Sequence, residues 1–421
     1  MKLSEQILHR LPTGKLATNS LQAIFGQGLR AFVQGINFIL ITRFLEAEQF
    51  GLFTASFAIV LIFACFSAIA FPYLLVIEVS KQPDSAPGYY LRSLLYGGIT
   101  APFLILFTFI THTLIIADPE LLLPLLLLCL SELVFHPVLE STARVYQAFE
   151  QMRITSRIQN AAIYSRFLII CSHFIWADEL TILQVSVYYC LASGIAALVV
   201  LIWGVRNIGI SREHLSGLRI KLGLLMASSH LAHKSILDID KTIIAALQNA
   251  QITGIYAAGY RLVELTIIPA RGVLETAYNR FMRAGNEGIE TSFRYSLRIL
   301  PWPLSYSVVI AVALYWFSPL INWLLGDSFA GTEQVIQLFC FYPILFTLRQ
   351  SLVQVIESSQ LIYERLVIFS VTALVNLVFT VVWVMQYGWQ GAIWATYMAE
   401  GCLLVLSLFY IFRQIQIERH E

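Results

Sequence analysis

Six titratable side chains fall within twelve residues of one otherwise apolar stretch: His230, His233, Lys234, Asp238, Asp240 and Lys241. Lys234 and Asp238 are four apart and Asp238 and Lys241 three apart, so on a helix each pair shares a face and can form an ion pair. Two chemistries are open to such a group. One is self-neutralisation, which lowers the cost of burying charge. The other is a working site, in which Lys234 faces an anion while Asp238 or Asp240 takes a cation or proton. A second stretch places Arg261 three residues before Glu264, and Arg271 four before Glu275. A third holds Arg30, flanked at helical spacing by Gln27, Gln34 and Asn37, a polar stripe on one face. A fourth carries Glu132, His136, Glu140 and Arg144 at fourfold spacing, with Pro137 among them. A histidine between two carboxylates suits a proton relay. The same row suits an interhelical seam with paired ends equally well. Arg166 and Glu400 stand singly in apolar runs, and Arg349 with Gln350 and Gln354 reads as part of an inner mouth.

The elements that position these groups follow from composition. Of 421 residues, 58% are hydrophobic and only 13% charged, with a mean hydropathy of +0.72. A soluble domain is nearer half apolar and a quarter charged, so the chain reads as a polytopic helical membrane protein. A spanning helix needs about 20 mostly apolar residues. Twelve such segments can be placed, at 20–44, 51–77, 91–116, 121–145, 156–176, 181–203, 222–247, 254–275, 295–317, 333–356, 364–386 and 391–412. Charges at the middle of such spans cost about 2.5–3.5 kcal/mol each on insertion scales, so they should face a cavity or a partner. Arg30 lies roughly 15 Å from the inner end of its span at 1.5 Å per residue, too deep to reach water easily. It either lines a cavity or pairs with a glutamate of another span.

The connections test the count. Odd-numbered ones hold Glu46 and Glu48, Asp118 and Glu120, Asp178 and Glu179, and Asp327, with no Lys or Arg. Even-numbered ones hold Lys81, then Arg153, then Arg206, Arg212, Arg219 and Lys221, then Arg280, Arg283 and Arg294, then Glu357 beside Arg365. Cytoplasmic loops concentrate Lys and Arg, so the alternation predicts twelve spans with both termini in the cytoplasm. The basic start, with Lys2, Arg10 and Lys15, leads into a span without a cleavage pattern, so no removed targeting segment is expected. Six scattered cysteines lack CxxC spacing and nearby histidines, which points to lipid-facing or core thiols and to no metal site or other cofactor.

An echo joins the two halves. Gly51-Leu52-Phe53-Thr54-Ala55-Ser56-Phe57 returns, ungapped, as Gly254-Ile255-Tyr256-Ala257-Ala258-Gly259-Tyr260. Each copy follows one apolar segment and opens the next. Six spans precede the basic 204–221 loop and six follow, so both halves begin on the same side and read as parallel repeats. The expectation is an all-α integral membrane fold: a six-helix bundle over 1–203, a cytoplasmic linker over 204–221 and a second six-helix bundle over 222–421, around a central cavity.

Four strings carry a resemblance. Ile41-Thr42-Arg43-Phe44-Leu45 with Gln49-Phe50-Gly51-Leu52-Phe53, and Asp240-Lys241-Thr242-Ile243-Ile244 with Gly254-Ile255-Tyr256-Ala257-Ala258, are similar to signatures of polysaccharide flippases. Leu324-Leu325-Gly326-Asp327-Ser328-Phe329 and Tyr387-Gly388-Trp389-Gln390-Gly391-Ala392 resemble the last two outer turns of that family. Together they span nearly the whole chain, which thus resembles the Wzx-type O-antigen and polysaccharide flippases of the multidrug/oligosaccharidyl-lipid/polysaccharide exporter superfamily. Glu46 departs from the pattern, since the family usually has Gly there. The resemblance implies a substrate, an undecaprenyl-diphosphate-linked oligosaccharide moved from the inner to the outer leaflet of a bacterial inner membrane. It implies a polysaccharide polymerase and a chain-length regulator as partners and no nucleic acid. It makes Arg30, Lys234 and Arg261 ligands for the diphosphate, since Arg and Lys pair with phosphate oxygens. Asp238, Asp240, Glu264, Glu132, His136 and Glu140 are the groups for ion or proton coupling.

Other classes fare less well. No G-x-x-x-x-G-K-[ST] string is present for an ATP-driven pump. A membrane polymerase or acyltransferase needs a catalytic constellation, and the longest outer connection, about 318–332, offers one Asp and no His or Arg. A multidrug cation exporter should present an acidic cavity, and a lipid II flippase normally has two further spans.

Overall fold

In lipid an unpaired backbone amide has no water to turn to, so a spanning segment pairs its own groups as a helix. The computed structural model describes residues 15–175, 177, 179–212, 220–359 and 361–420, and among them there is no strand. Lys2, Arg10, Asp178 and Arg219 lie outside the described residues, as does the side chain of Gln27.

The first half comprises α1 (Lys15–Leu45), α2 (Ala47–Ala64), α3 (Phe71–Lys81), α4 (Ala86–Ile115), α5 (Leu122–Cys129), α6 (His136–Ala148), α7 (Met152–His173) and α8 (Ile182–Asn207). The second comprises α9 (Ile220–Leu247), α10 (Ala250–Asn286), α11 (Ile289–Ile299), α12 (Pro301–Phe317), α13 (Leu320–Leu325), α14 (Thr332–Phe339), α15 (Tyr342–Ser358), α16 (Ile362–Tyr387) and α17 (Trp389–His420). All twelve expected segments fall on helix. Several are composite: α2 and α3 make one, α5 and α6 another, joined by a π-helical stretch over Leu130–Phe135. The pairs α11–α12 and α14–α15 are bent by 45° and 44°. Among the described residues, seven helices are long and apolar enough to cross a membrane, nine counting the bent pairs. The remaining three expected spans are α7, α9 and α10, which carry the mid-span charges. The 204–221 loop is shorter than the sequence suggests: residues 204–207 complete α8 and residues 220 and 221 open α9, while 213–219 lie outside the described residues.

Local chemistry fixes several ends. Thr181 and Gln184 form a reciprocal capping box at the start of α8. The Asn249 side chain accepts the Ile252 amide at 2.8 Å and caps α10. Between α1 and α2, Glu46 has φ +59°, the left-handed conformation that favours glycine. The turn therefore keeps the geometry for which the resembling family uses Gly, at a cost of about 1–2 kcal/mol for an L side chain.

Where the halves meet, the echoed glycines cross. A Cβ on Gly51 would lie 1.8 Å from the Ala250 carbonyl oxygen, and one on Gly254 would lie 1.8 Å from that of Ala47. The contact is reciprocal in the register of the echo, as a twofold axis between α2 and α10 requires. Around it one apolar cluster draws on both halves, including Leu45, Phe50 and Phe53 from the first and Ala257, Ala258, Leu325 and Phe329 from the second. Packing thus seals the face that bears Glu46, Glu48 and Asp327.

Candidate functional site

Beneath that seal lies a cavity of about 260 Å³ between the two halves. The first half supplies a mostly uncharged wall, with Gln34, Asn37 and Phe38 from α1, Phe53 and Phe57 from α2, and Tyr189 from α8. Its one charged lining residue is Arg166 of α7. The second half supplies Lys234, Asp238 and Lys241 from α9 and Arg261 and Glu264 from α10.

The charged wall is a chain of ion pairs. Lys234 Nζ lies 3.4 Å from Asp238 Oδ2, and Lys241 Nζ lies 3.2 Å from Asp238 Oδ1 and 3.2 Å from Asp240 Oδ1. Arg261 Nη1 donates to Glu264 Oε2 at 2.5 Å. Lys234 and Arg261 keep 40% and 38% of their side chains exposed, against 9% for Lys241. Those two cations can turn to a ligand, whereas Lys241 is locked, donating also to the Leu237 carbonyl at 2.6 Å and lying 4.2 Å from the Tyr260 ring. Across the cavity Arg166 Nη2 donates to Glu132 Oε1 at 2.6 Å, Ser193 Oγ at 2.7 Å and Ser131 Oγ at 2.9 Å, and its guanidinium lies 4.2 Å from the Tyr189 ring centre.

Of the expected site residues, Lys234, Asp238, Arg261 and Glu264 come together here. Asp240 does not line the cavity: it is buried behind it and accepts the Tyr256 hydroxyl at 2.5 Å. Arg30 lies outside the lining, exposed, one turn before Gln34 on the same helix. His230 and His233 turn elsewhere, the first stacked on Tyr73 at 4.5 Å and the second edge-on to Phe369 at 5.2 Å. The Glu132–His136–Glu140 row is not one chain of contacts. Between Glu132 and His136 the chain is π-helical. His136 is exposed, and each carboxylate is taken by an arginine, Glu132 by Arg166 and Glu140 by Arg144 at 2.6 Å. Arg349 is not at a mouth. It is buried in the second half, 2.8 Å from the equally buried Glu400. Among the described residues, no group of three or more His, Cys, Asp or Glu is placed to hold a metal ion.

Two lining cations escaped assignment from sequence. Arg166 carried the needed signal, a lone arginine in an apolar span. Lys241 stood in the titratable cluster, where spacing alone did not separate it from Lys234.

Helices of both halves around a cavity, with cations facing inward, form an arrangement that solved structures share. The chain matches, over 92% of its length, an inward-facing multidrug-resistance MATE family transporter of the MOP superfamily, at 12% identity, 96% coverage of that chain and a TM-score of 0.71. An outward-facing MATE transporter matches with a TM-score of 0.66, 12% identity and coverage of 94% and 95%. A MOP superfamily transporter from Pyrococcus furiosus, described as having a binding pocket of reverse polarity, matches with a TM-score of 0.63, 13% identity and coverage of 93% and 94%. No curated protein matches by sequence. The model of the polysaccharide biosynthesis protein family matches residues 16–269, and the chain belongs to that family.

Proposed function

We propose that this protein flips an undecaprenyl-diphosphate-linked oligosaccharide from the inner to the outer leaflet by alternating access, without catalysing a covalent step. The observation that carries this reading is the make-up of the cavity. Four cations line it, Arg166, Lys234, Lys241 and Arg261, against two carboxylates, Asp238 and Glu264. A diphosphate suits that surplus, and charge-assisted hydrogen bonds to phosphate are among the strongest a protein makes. Lys234 and Arg261, half-exposed, are the first ligands, with Arg30 on the approach. When they turn to the diphosphate, Glu264 loses its partner and Asp238 keeps only Lys241, and these two become the groups to take a proton or cation. Asp240 supports that response from behind, and Glu132, His136 and Glu140 are a second, separate set. Substrate then drives rocking of the 1–203 and 222–421 halves about the 204–221 linker only as far as it binds the two states unequally.

The Lys/Arg-rich loops support cytoplasmic termini in a bacterial inner membrane, with the product passed to a polysaccharide polymerase and chain-length regulator for O-antigen, lipopolysaccharide or exopolysaccharide assembly. The test is the leaflet location of the lipid-linked glycan in a deletion strain complemented with native protein, Arg261→Ala or Arg30→Ala. Native protein should move glycan to the outer leaflet, and Arg261→Ala should leave it inside. Glycan that reaches the outer face in the deletion strain, but stays unpolymerised, would refute the transport reading.

A further inference from the structure

Far from the cavity, the second half has an elbow. Where α12 crosses the membrane, α11, bent 45° from it, leans toward the plane of the headgroups. The inward face of α11 is pinned. Ile289, Ser292 and Ser296 are buried, and the two serines meet Ser358 and Ser351 of α15, each at 2.7 Å. The outward face therefore has one fixed orientation, and it mixes two kinds of side chain. Leu297 is 52% exposed and Trp302, in the first turn of α12, is 78% exposed. Arg294 and Arg298 stand exposed beside them at helical spacing. The last turns of α17 extend the face. Phe412 meets Phe293 edge-on at 5.6 Å and still turns outward, with the exposed Arg413 next to it.

The acids on this face are used up. Glu290 is held by Arg294 at 2.6 Å and by Arg419 at 2.9 Å, and Glu418 accepts the Ile289 amide at 3.2 Å. Among the described residues, Arg298 and Arg413 have no ion-pair or hydrogen-bond partner. The first half offers no such face. There α4 runs unbroken from Ala86 to Ile115, and the register of the echo puts Leu95 opposite Arg298 and Ile99 opposite Trp302.

Exposed apolar side chains interleaved with unpaired arginines fit a bilayer interface. Leucine dips into the acyl boundary, tryptophan sits at headgroup level, and arginine meets phosphate. A zwitterionic headgroup brings its own cation to that phosphate, whereas an anionic one leaves it unopposed, so each basic residue gains more from anionic lipid. We propose that the outward face of α11, with Trp302 and the end of α17, is a binding surface for anionic phospholipid, with Arg298 on a headgroup phosphate and Leu297 and Trp302 against the lipid's acyl chains. The lipid is then a ligand of the second half alone, and it sets the depth of that half in the bilayer.

The test uses the full-length chain in phosphatidylcholine vesicles that contain either brominated phosphatidylglycerol or brominated phosphatidylcholine. Bromine quenches nearby tryptophan, and the share of fluorescence lost in Trp302→Phe isolates Trp302 from the other tryptophans. Half of that share should be quenched at about one-fifth the mole fraction of brominated phosphatidylglycerol that brominated phosphatidylcholine requires, the fivefold that one basic residue contributes at an anionic surface. Arg298→Gln should bring the two lipids to parity. Arg298→Lys, which keeps the charge, should retain most of the difference, and about 1 M salt should erase it in native protein. If both lipids quench native protein equally, or if Arg298→Gln leaves the difference intact, the anionic-lipid surface is refuted. If neither lipid quenches Trp302, the elbow stands in water and is left to a soluble acidic partner, which refutes it as well.

Discussion

The two helices that begin with the echo, α2 and α10, have taken opposite courses. In the register of Gly51 and Gly254, Arg261 stands where the first half has Ala58, and Glu264 where it has Leu61; all four line the cavity. From residue 49 to 77 the first copy carries no charge at all. Their backbones diverge too. The α2–α3 path is broken, with Ala68, Ile69 and Ala70 in succession at φ +50°, +54° and +50°, whereas α10 runs unbroken for 37 residues. The proline falls in the continuous helix: Pro269 is internal to α10, while Pro72 sits in the first turn of α3, where its missing N–H costs nothing. Two helices in one register thus form a continuous charged wall and a jointed uncharged one. The comparison teaches that cavity chemistry is set at a few positions and scaffold contact at others, since the glycine crossing is alike in both.

The comparison breaks most severely if the charged wall is remade. Lys234→Glu puts a third carboxylate beside Asp238 and should abolish export in the leaflet assay, with protein level and melting unchanged. Giving the second wall the first wall's residues, Arg261→Ala with Glu264→Leu, should cost headgroup affinity about 10- to 100-fold, the worth of one charge-assisted hydrogen bond. The reciprocal change, Ala58→Arg with Leu61→Glu, should not restore it. Restoration would mean that the walls are interchangeable.

The shared seam predicts equality instead. Gly51→Val and Gly254→Val each force a side chain into a carbonyl oxygen, so each should destabilise the sealed state by roughly 1–3 kcal/mol, as overpacking does. A cysteine at Phe50 should react faster with a thiol reagent in both. A response to only one substitution would break the reciprocity. At the joint, Ile69→Gly relieves a left-handed isoleucine, and its counterpart Gly272→Ala fills an open helical position with nothing within 4 Å. Each should raise stability by about 1 kcal/mol in thermal unfolding, for opposite reasons. Smallest is an exposed clasp at residue 290, before the expected 295–317 span. Hydrogen bonds from Arg419 and Arg294 hold the Glu290 carboxyl below its ordinary range. A depressed carboxylate contributes at pH above its unfolded value and loses that contribution as pH falls through its folded one. Amide protection at the start of α11 should therefore fall on acidification, and Glu290→Gln should remove the dependence.

Much of this was legible because lipid imposes period and length. The apolar runs predicted the long helices, though not the short α13 inside the 318–332 connection, and the echo marked the two glycines that meet at the seam. Lys234, Asp238, Arg261 and Glu264 were legible as candidates to line a cavity because charge in an apolar span demands a reason. Partners are harder to read than positions. Fourfold spacing does not show that Arg166 of another helix takes Glu132 while Arg144 takes Glu140. Asp240 and Arg349 carry the same charges as their cavity-lining neighbours, and only packing shows that they are consumed by Tyr256 and Glu400. The aromatic wall was invisible because 28 Phe are spread along the chain and most have lipid or core to face.

The crossing of Gly51 and Gly254 has the geometry of a twofold contact, such as joins the protomers of a homodimer. In a true dimer every substitution at the axis appears twice, so neither partner can change alone, and a charge gained on one wall is gained on both. Within one chain that constraint is absent, while the two glycines still fit as a symmetric pair would. Arg261 could then be acquired without its twin at Ala58, and a symmetric vestibule could become one that distinguishes the two ends of an asymmetric molecule.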